Sequence, residues 1–196
     1  CDEKPPIFVR YVHQKTNAVM IKLSAGGVYV TKQKELITTV LGSCVAVCLR
    51  NVRTGAGGIN HYMLPGGYQT TELDDEDKKF RYGELAIPEL ITMVLADGGS
   101  HGDLEAKIFG GADVLNTGSR VGLNNISCAF EVLSRYGIHV STSDTGSKHP
   151  RKIIYNPLSG AVQLKRLRST YQGMIMARER RYLDALSNNT QSGEGV

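Results

Sequence analysis

Leu36-Ile37-Thr38-Thr39-Val40-Leu41-Gly42-Ser43-Cys44-Val45-Ala46-Val47-Cys48-Leu49 is the stretch from which the fold is read. Two short runs rich in branched apolar residues, Leu36 to Val40 and Val45 to Leu49, are broken at Leu41-Gly42-Ser43, and this predicts two strands. Similar runs flank them. Val19 to Leu23 and Gly27 to Val30 lie around a Gly26-Gly27 turn, and Gly58 to Leu64 follows the turn-rich Arg53-Thr54-Gly55-Ala56-Gly57-Gly58. Further strands are expected at Leu104 to Phe109, Ile138 to Ser143, Lys152 to Tyr155 and Gly160 to Leu164, the last closing a Pro157-Leu158-Ser159-Gly160 turn.

Helical spacing marks three other segments. Gly83 to Ala96 places Leu85, Leu90, Ile91, Val94 and Leu95 near one face and stops at Asp97-Gly98-Gly99; its Pro88 is tolerable only in a first turn. Asn124 to Tyr136 carries Ile126, Phe130, Val132 and Leu133, and Thr170 to Leu186 carries Tyr171, Met174, Ile175, Tyr182 and Leu183. Many strands with few helices imply an α/β class: a single-domain layered α/β sandwich with largely antiparallel or mixed sheets. The expected organisation is a flexible N-terminal arm at 1–18, a folded domain at 19–168, a helical extension at 169–186 and a disordered tail at 187–196. Pro65 to Arg81, with the acidic run Asp74-Asp75-Glu76-Asp77, reads as a solvated loop.

With 196 residues, 41% of them hydrophobic and 21% charged, the composition is that of a globular protein with one core. No window approaches the ~18 apolar residues of a membrane span, so no membrane insertion is expected. The net charge of +4 comes largely from Lys165, Arg166, Arg168, Arg178, Arg180 and Arg181. No nucleic-acid motif accompanies that cluster, and it reads as a solvated basic face. The final helix could cover the sheet or dock a partner. The four cysteines, Cys1, Cys44, Cys48 and Cys128, lack metal-ligand spacing, which suggests a reducing, cytoplasmic setting and no metal.

Chemistry concentrates on Cys44, which follows a Gly-Ser turn, and on His61 in Asn60-His61-Tyr62-Met63-Leu64-Pro65-Gly66, 17 residues later. Two hairpin-linked strands could bring them side by side as an activated thiolate pair. Each also has a structural reading, Cys44 as a small core residue and His61 as a satisfied buried histidine. Thr38 and Thr39 could orient the imidazole or serve simply as β-formers. The amides of Gly42, Ser43 and Cys44 could face a developing oxyanion. Gly110-Gly111 lacks the rest of a phosphate loop and reads as a tight turn. Asp144-Thr145-Gly146-Ser147 with Arg151 could line a polar cleft or form a surface turn.

Taken together, Leu41-Gly42-Ser43-Cys44-Val45-Ala46-Val47, Asn60-His61-Tyr62-Met63-Leu64-Pro65-Gly66, Lys107-Ile108-Phe109-Gly110-Gly111-Ala112 and Asp144-Thr145-Gly146 with Arg151 resemble the bacterial chemoreceptor glutamine deamidases (CheD) from about Val19 to Leu167. The resemblance implies a fold like that of the deamidating toxins and a protein-glutamine amidohydrolase. It would convert selected glutamines of chemoreceptor cytoplasmic helices to glutamate without a cofactor. It implies Cys44 as nucleophile, His61 as base and the threonine six positions before the cysteine, Thr38 rather than Thr39, as the third member. Gly42 and Ser43 would line the oxyanion site. It also implies a possible partner, the chemotaxis phosphatase CheC, and so an alternative role as a binding module with weak catalysis. The Gly122-Leu123-Asn124-Asn125 segment departs from the family pattern at Leu123, and residues after about Arg168 inherit no role.

Overall fold

The computed structural model describes residues 6–67, 76–114, 120–167, 173–177 and 180. Among the described residues, ten strands form two five-stranded sheets. The strands are β1 (Phe8–Val12), β2 (Val19–Leu23), β3 (Gly27–Thr31), β4 (Glu35–Leu41), β5 (Val45–Asn51), β6 (Gly57–His61), β7 (Leu104–Gly110), β8 (His139–Thr145), β9 (Arg151–Tyr155) and β10 (Val162–Arg166). The helices are α1 (Glu76–Lys79), α2 (Gly83–Leu95) and α3 (Val121–Arg135). One sheet runs β1-β2-β4-β9-β10 and the other β3-β6-β5-β7-β8. The β2–β4 and β7–β8 pairs are parallel and the others antiparallel. A parallel neighbour needs a long crossover, and α3 supplies the one between β7 and β8.

The order of layers is sheet, sheet, helices. Ile21, Leu23, Ile37, Leu41, Ala46, Cys48, Ile59, Phe109, Ile153 and Tyr155 fill the space between the sheets. Val45, Val47 and Leu49 on the opposite face of β5 pack with Ile87, Leu90 and Val94 of α2 and Ala129, Val132 and Leu133 of α3. Strand β5 is therefore covered on both faces, which is why its sequence is an almost unbroken apolar run. Small side chains, Ala46 and Cys48, take the sheet-to-sheet side, and larger ones take the helix side.

Three sequence expectations are corrected. Residues 8–12, expected in a loose arm, form β1 and pair with β2 from Phe8↔Leu23 to Val12↔Val19. Every residue of β1 is exposed, so no alternation betrays the strand. It is held by its ladder, by an ion pair of 2.8 Å between Arg10 Nη2 and Glu35 Oε1, and by the Phe8 ring set edge-on to Tyr29. Pro88 lies in the second turn of α2, not the first, where its missing N–H removes one helical bond. Helix α3 begins at Val121, and its buried face is Gly122, Asn125, Cys128, Ala129, Val132 and Leu133, with Phe130 turned outward.

Of the expected third helix, residues 173–177 are described and helical. Ile175 is buried against Ala112, Val114 and Leu167, so this stretch covers the protein rather than standing free. The proposed tail at 187–196 lies outside the described residues. Among the described residues no helix is long and apolar enough to cross a membrane.

Candidate active site

The segment Gly42-Ser43-Cys44 carries the chain from β4 in one sheet to β5 in the other. It is clamped from behind. Gly42 O accepts from Ala112 N and Cys44 O from Gly111 N, both at 2.8 Å. Gly110 must be glycine for this contact: its φ is +113°, and a Cβ there would stand 2.2 Å from Cys44 O. The Gly110-Gly111 turn thus holds the cysteine loop rather than a phosphate.

Arg151 fixes the same turn. It is fully buried. Its guanidinium donates to the carbonyls of Gly110, Asp144, Gly146 and His149 and pairs with Asp144 Oδ1 at 2.8 Å. Asp144 also takes Arg166 Nη2 at 2.6 Å, so one member of the basic cluster is committed to an internal pair. The Asp144–Arg151 motif is therefore an interior brace, not a cleft lining.

Val45 and Tyr62 exchange two backbone bonds of 3.1 and 3.0 Å. The register of the pair Cys48↔Ile59 agrees with this bridge. Continued between them, it sets His61 opposite Ala46 and diagonal to Cys44, on the face between the sheets. Diagonal neighbours of an antiparallel pair are separated by about 7–8 Å at the backbone, a span that a thiol and an imidazole can close. Both residues are buried, at 3% and 1% exposure, so reacting groups here are shielded from bulk water.

The structure places Thr39, not Thr38, on the imidazole. Thr39 Oγ1 lies 2.8 Å from His61 Nδ1, whereas Thr38 Oγ1 donates to Ile153 O at 2.8 Å. The reason is strand periodicity. Thr39 shares its face with Ile37 and Leu41, which enter the inter-sheet core, and Thr38 points the other way. The Thr39 hydroxyl also donates its one proton to Leu23 O, at 2.9 Å. With that proton committed, the bond to the ring must run from Nδ1–H to Oγ1. The neutral imidazole therefore carries its proton on Nδ1, and Nε2 keeps the lone pair a base needs.

The other thiols differ. Cys48 lies deeper in the inter-sheet core, and burial pushes its thiol well above the ordinary range. Cys128 is on the helix side of β5, and burial, with Glu84 and Glu131 nearby, pushes it up to about 12. A cleft of about 210 Å³ beside Cys128 is lined by Pro65, Glu84, Ser127, Glu131 and Arg135, across the sheet from Cys44. Among the described residues no cluster of His, Cys, Asp or Glu could hold a metal ion.

The sequence did not single out Asn125 for this site. It is fully buried in α3 and donates from Nδ2 to Ser43 O at 3.1 Å and Met63 O at 2.9 Å. Beyond Met63, the carbonyls of Leu64 and Pro65 accept from Gly83 N and Glu84 N, so the segment leaving His61 also caps α2.

A family model described as CheD chemotactic sensory transduction matches residues 63–166. A protein of Hahella chejuensis named probable chemoreceptor glutamine deamidase CheD is 40% identical over 94% of this chain and 88% of its own length. The chain belongs to the CheD family. Two further CheD relatives bear the same name. The one from Hydrogenovibrio crunogenus is 36% identical over 88% of this chain and 91% of its own length. That from Halorhodospira halophila is 38% identical over 94% of this chain and 87% of its own length. Among solved structures, the hypothetical protein YfiH of Bacillus licheniformis aligns with a TM-score of 0.40 and 13% identity, over 62% of this chain and 51% of that one. That likeness is too slight to inform the CheD site.

Proposed function

We propose that this chain hydrolyses glutamine side-chain amides of chemoreceptor cytoplasmic helices to glutamate, with Cys44 as nucleophile, His61 as base and Thr39 as the residue that orients the imidazole. The observation that carries the reading is the Leu23–Thr39–His61 chain of hydrogen bonds, which leaves Nε2 as the basic nitrogen on the face shared with Cys44. The names of the relatives supply the substrate class.

In the first half-reaction His61 Nε2 takes the thiol proton and Cys44 Sγ attacks the amide carbon. The tetrahedral intermediate collapses as the imidazolium returns that proton to nitrogen, releasing ammonia and leaving a thioester. In the second half, His61 takes a proton from water, hydroxide adds to the thioester carbon, and the thiol departs with the proton restored to sulfur. Glutamate is the product. Each imidazolium stage is stabilised by the Nδ1–H bond to Thr39, which acts without changing its own protonation.

The oxyanion donors follow from the clamp on the loop. Gly42 O and Ser43 O face Ala112 N and Asn125 Nδ2. A trans peptide sends the next N–H the opposite way, so the Ser43 and Cys44 amides, rather than that of Gly42, are the donors we assign to the oxyanion. We assign this chemistry to the cytoplasm, because the proposed substrate is the cytoplasmic helices of the receptor. Docking on CheC is a separate proposal, to be tested by pull-down with Cys44→Ala. The activity itself is tested by ammonia release from a receptor signalling-domain fragment. Wild type is expected to release ammonia and Cys44→Ala none; equal release by both would exclude Cys44 as the nucleophile.

A further inference from the structure

Helix α3 presents to the core a stripe of Gly122, Asn125, Cys128, Ala129, Val132 and Leu133, in which Asn125 is the one carboxamide. A buried amide without partners is costly, so an asparagine in such a stripe needs a use. Its partners are the backbone on both sides of the reactive pair. Nδ2 donates to Ser43 O, next to Cys44, and to Met63 O, two residues beyond His61. Its own main-chain carbonyl accepts the Tyr62 hydroxyl at 2.5 Å, from the residue adjoining His61. Burial pushes the Tyr62 phenol well above the ordinary tyrosine range, with Cys128 and Cys44 adding to the effect, so that hydroxyl remains a donor.

Two carbonyl oxygens converging on one atom require a donor with two protons. An asparagine nitrogen has them. An aspartate would present lone pairs to lone pairs, and a leucine would leave both carbonyls unsatisfied. We infer that Asn125 is a positioning residue that sets the separation of Cys44 and His61 by tying both of their backbone segments to α3. The two side-chain bonds of Asn125 go to main-chain carbonyls beside the pair, Ser43 O and Met63 O. Its bond to Ser43 O also fixes the peptide whose other end is the Cys44 amide, so the oxyanion donor and the nucleophile are set by one contact. The inference rests on the reading of Cys44 and His61 as the reactive pair.

The test uses the full chain and two readouts, one of which needs no receptor. The first is kcat and KM for deamidation of a receptor fragment. The second is the pH profile of Cys44 alkylation by iodoacetamide, followed by peptide mass spectrometry. Asn125→Ala is expected to lower kcat at least roughly tenfold with KM little changed, as a displaced pair should, and to shift the midpoint of the alkylation profile. Tyr62→Phe, which removes one of the three ties, is expected to give a smaller change of the same kind. Val94→Ala, a core cavity on α2 away from the site, is expected to lower stability and leave both readouts as in wild type.

An unchanged kcat and alkylation profile in Asn125→Ala would overturn the inference. So would an equal shift in Val94→Ala, which would make the effect one of general loosening. If Asn125→Ala does not fold, Asn125→Asp, which keeps the shape and removes the two donor protons, decides on the same criteria. If wild type releases no ammonia while the alkylation profile still depends on Asn125, the deamidase reading fails and the positioning role stands.

Discussion

Replacing Thr39 by valine keeps the shape of the side chain and deletes one hydroxyl. That hydroxyl serves two buried groups, Leu23 O at 2.9 Å and His61 Nδ1 at 2.8 Å. Each orphaned group costs about 1–3 kcal/mol, so Thr39→Val should destabilise the fold by about 2–6 kcal/mol. The catalytic effect is separate. When His61 holds the thiol proton it is an imidazolium, and the Nδ1–H bond to Thr39 becomes charge-assisted, worth about 1.5–3 kcal/mol. Losing it should lower kcat by about 10- to 150-fold. Thr38→Val removes a single bond, to Ile153 O, on the face away from His61. It should cost about 1–3 kcal/mol of stability and leave kcat within about twofold. Denaturant unfolding gives the first quantity for both variants, and steady-state ammonia release at saturating receptor fragment gives the second. A large kcat loss in Thr38→Val with near-normal turnover in Thr39→Val would refute the geometric reasoning.

All three described thiols are buried, so the proposed base His61 beside Cys44, rather than exposure, should set Cys44 apart. At pH 8, iodoacetamide is expected to label Cys44 and to spare Cys48 and Cys128 until the protein is unfolded, as read by peptide mapping; early labelling of Cys128, whose thiol is pushed up to about 12, would contradict its assigned environment. Arg151→Ala leaves the carbonyls of Gly110, Asp144, Gly146 and His149 without that donor and Asp144 with Arg166 as its remaining ion-pair partner, and should destabilise by about 3–5 kcal/mol in denaturant titration. A change under about 1 kcal/mol would show that the brace is dispensable. Burial and the bond to Glu35 raise the Tyr29 phenol to about 12 from the ordinary 10.0. The neutral form is the one the fold prefers. Its stabilisation is complete below pH 10 and is lost as pH rises through about 12. Melting temperature should therefore fall more steeply over that window in wild type than in Tyr29→Phe, and parallel curves would exclude the contribution.

Strand β5 was legible because a strand covered on both faces must be apolar almost throughout, and Val45 to Leu49 is. Cys44, His61, Gly110-Gly111 and Arg151 were each legible as motifs, but their meeting was not, and only the structure shows that Gly110-Gly111 and Arg151 brace the loop that carries Cys44. The choice between the two threonines was lost by counting back from the cysteine along a family pattern. Strand periodicity points instead to Thr39, the hydroxyl beside His61 Nδ1, since Ile37, Thr39 and Leu41 alternate onto one face. Strand β1 lacks the alternation of a half-buried strand because all of its residues are exposed, and its run of aromatic and β-branched residues, Phe8, Val9, Tyr11 and Val12, was the signal passed over. Helix α3 was legible from about Asn124 onward, with Val132 and Leu133 on its buried side and Ile126 packed against the core, but Phe130, the bulkiest apolar residue in the segment, faces outward. Asn125 then fell on the buried side, and its partners at Ser43 and Met63 are far away in sequence. No local pattern announces such a contact; a polar residue at stripe spacing is the trace it leaves.

The central claim is tested most directly by intact-mass and peptide mass spectrometry of a receptor signalling-helix fragment incubated with wild type or Cys44→Ala. The account predicts amide-to-acid mass gains at discrete glutamines with wild type and none with the variant. Gains that persist with Cys44→Ala, or an unmodified fragment after incubation with wild type across several receptors, would contradict it.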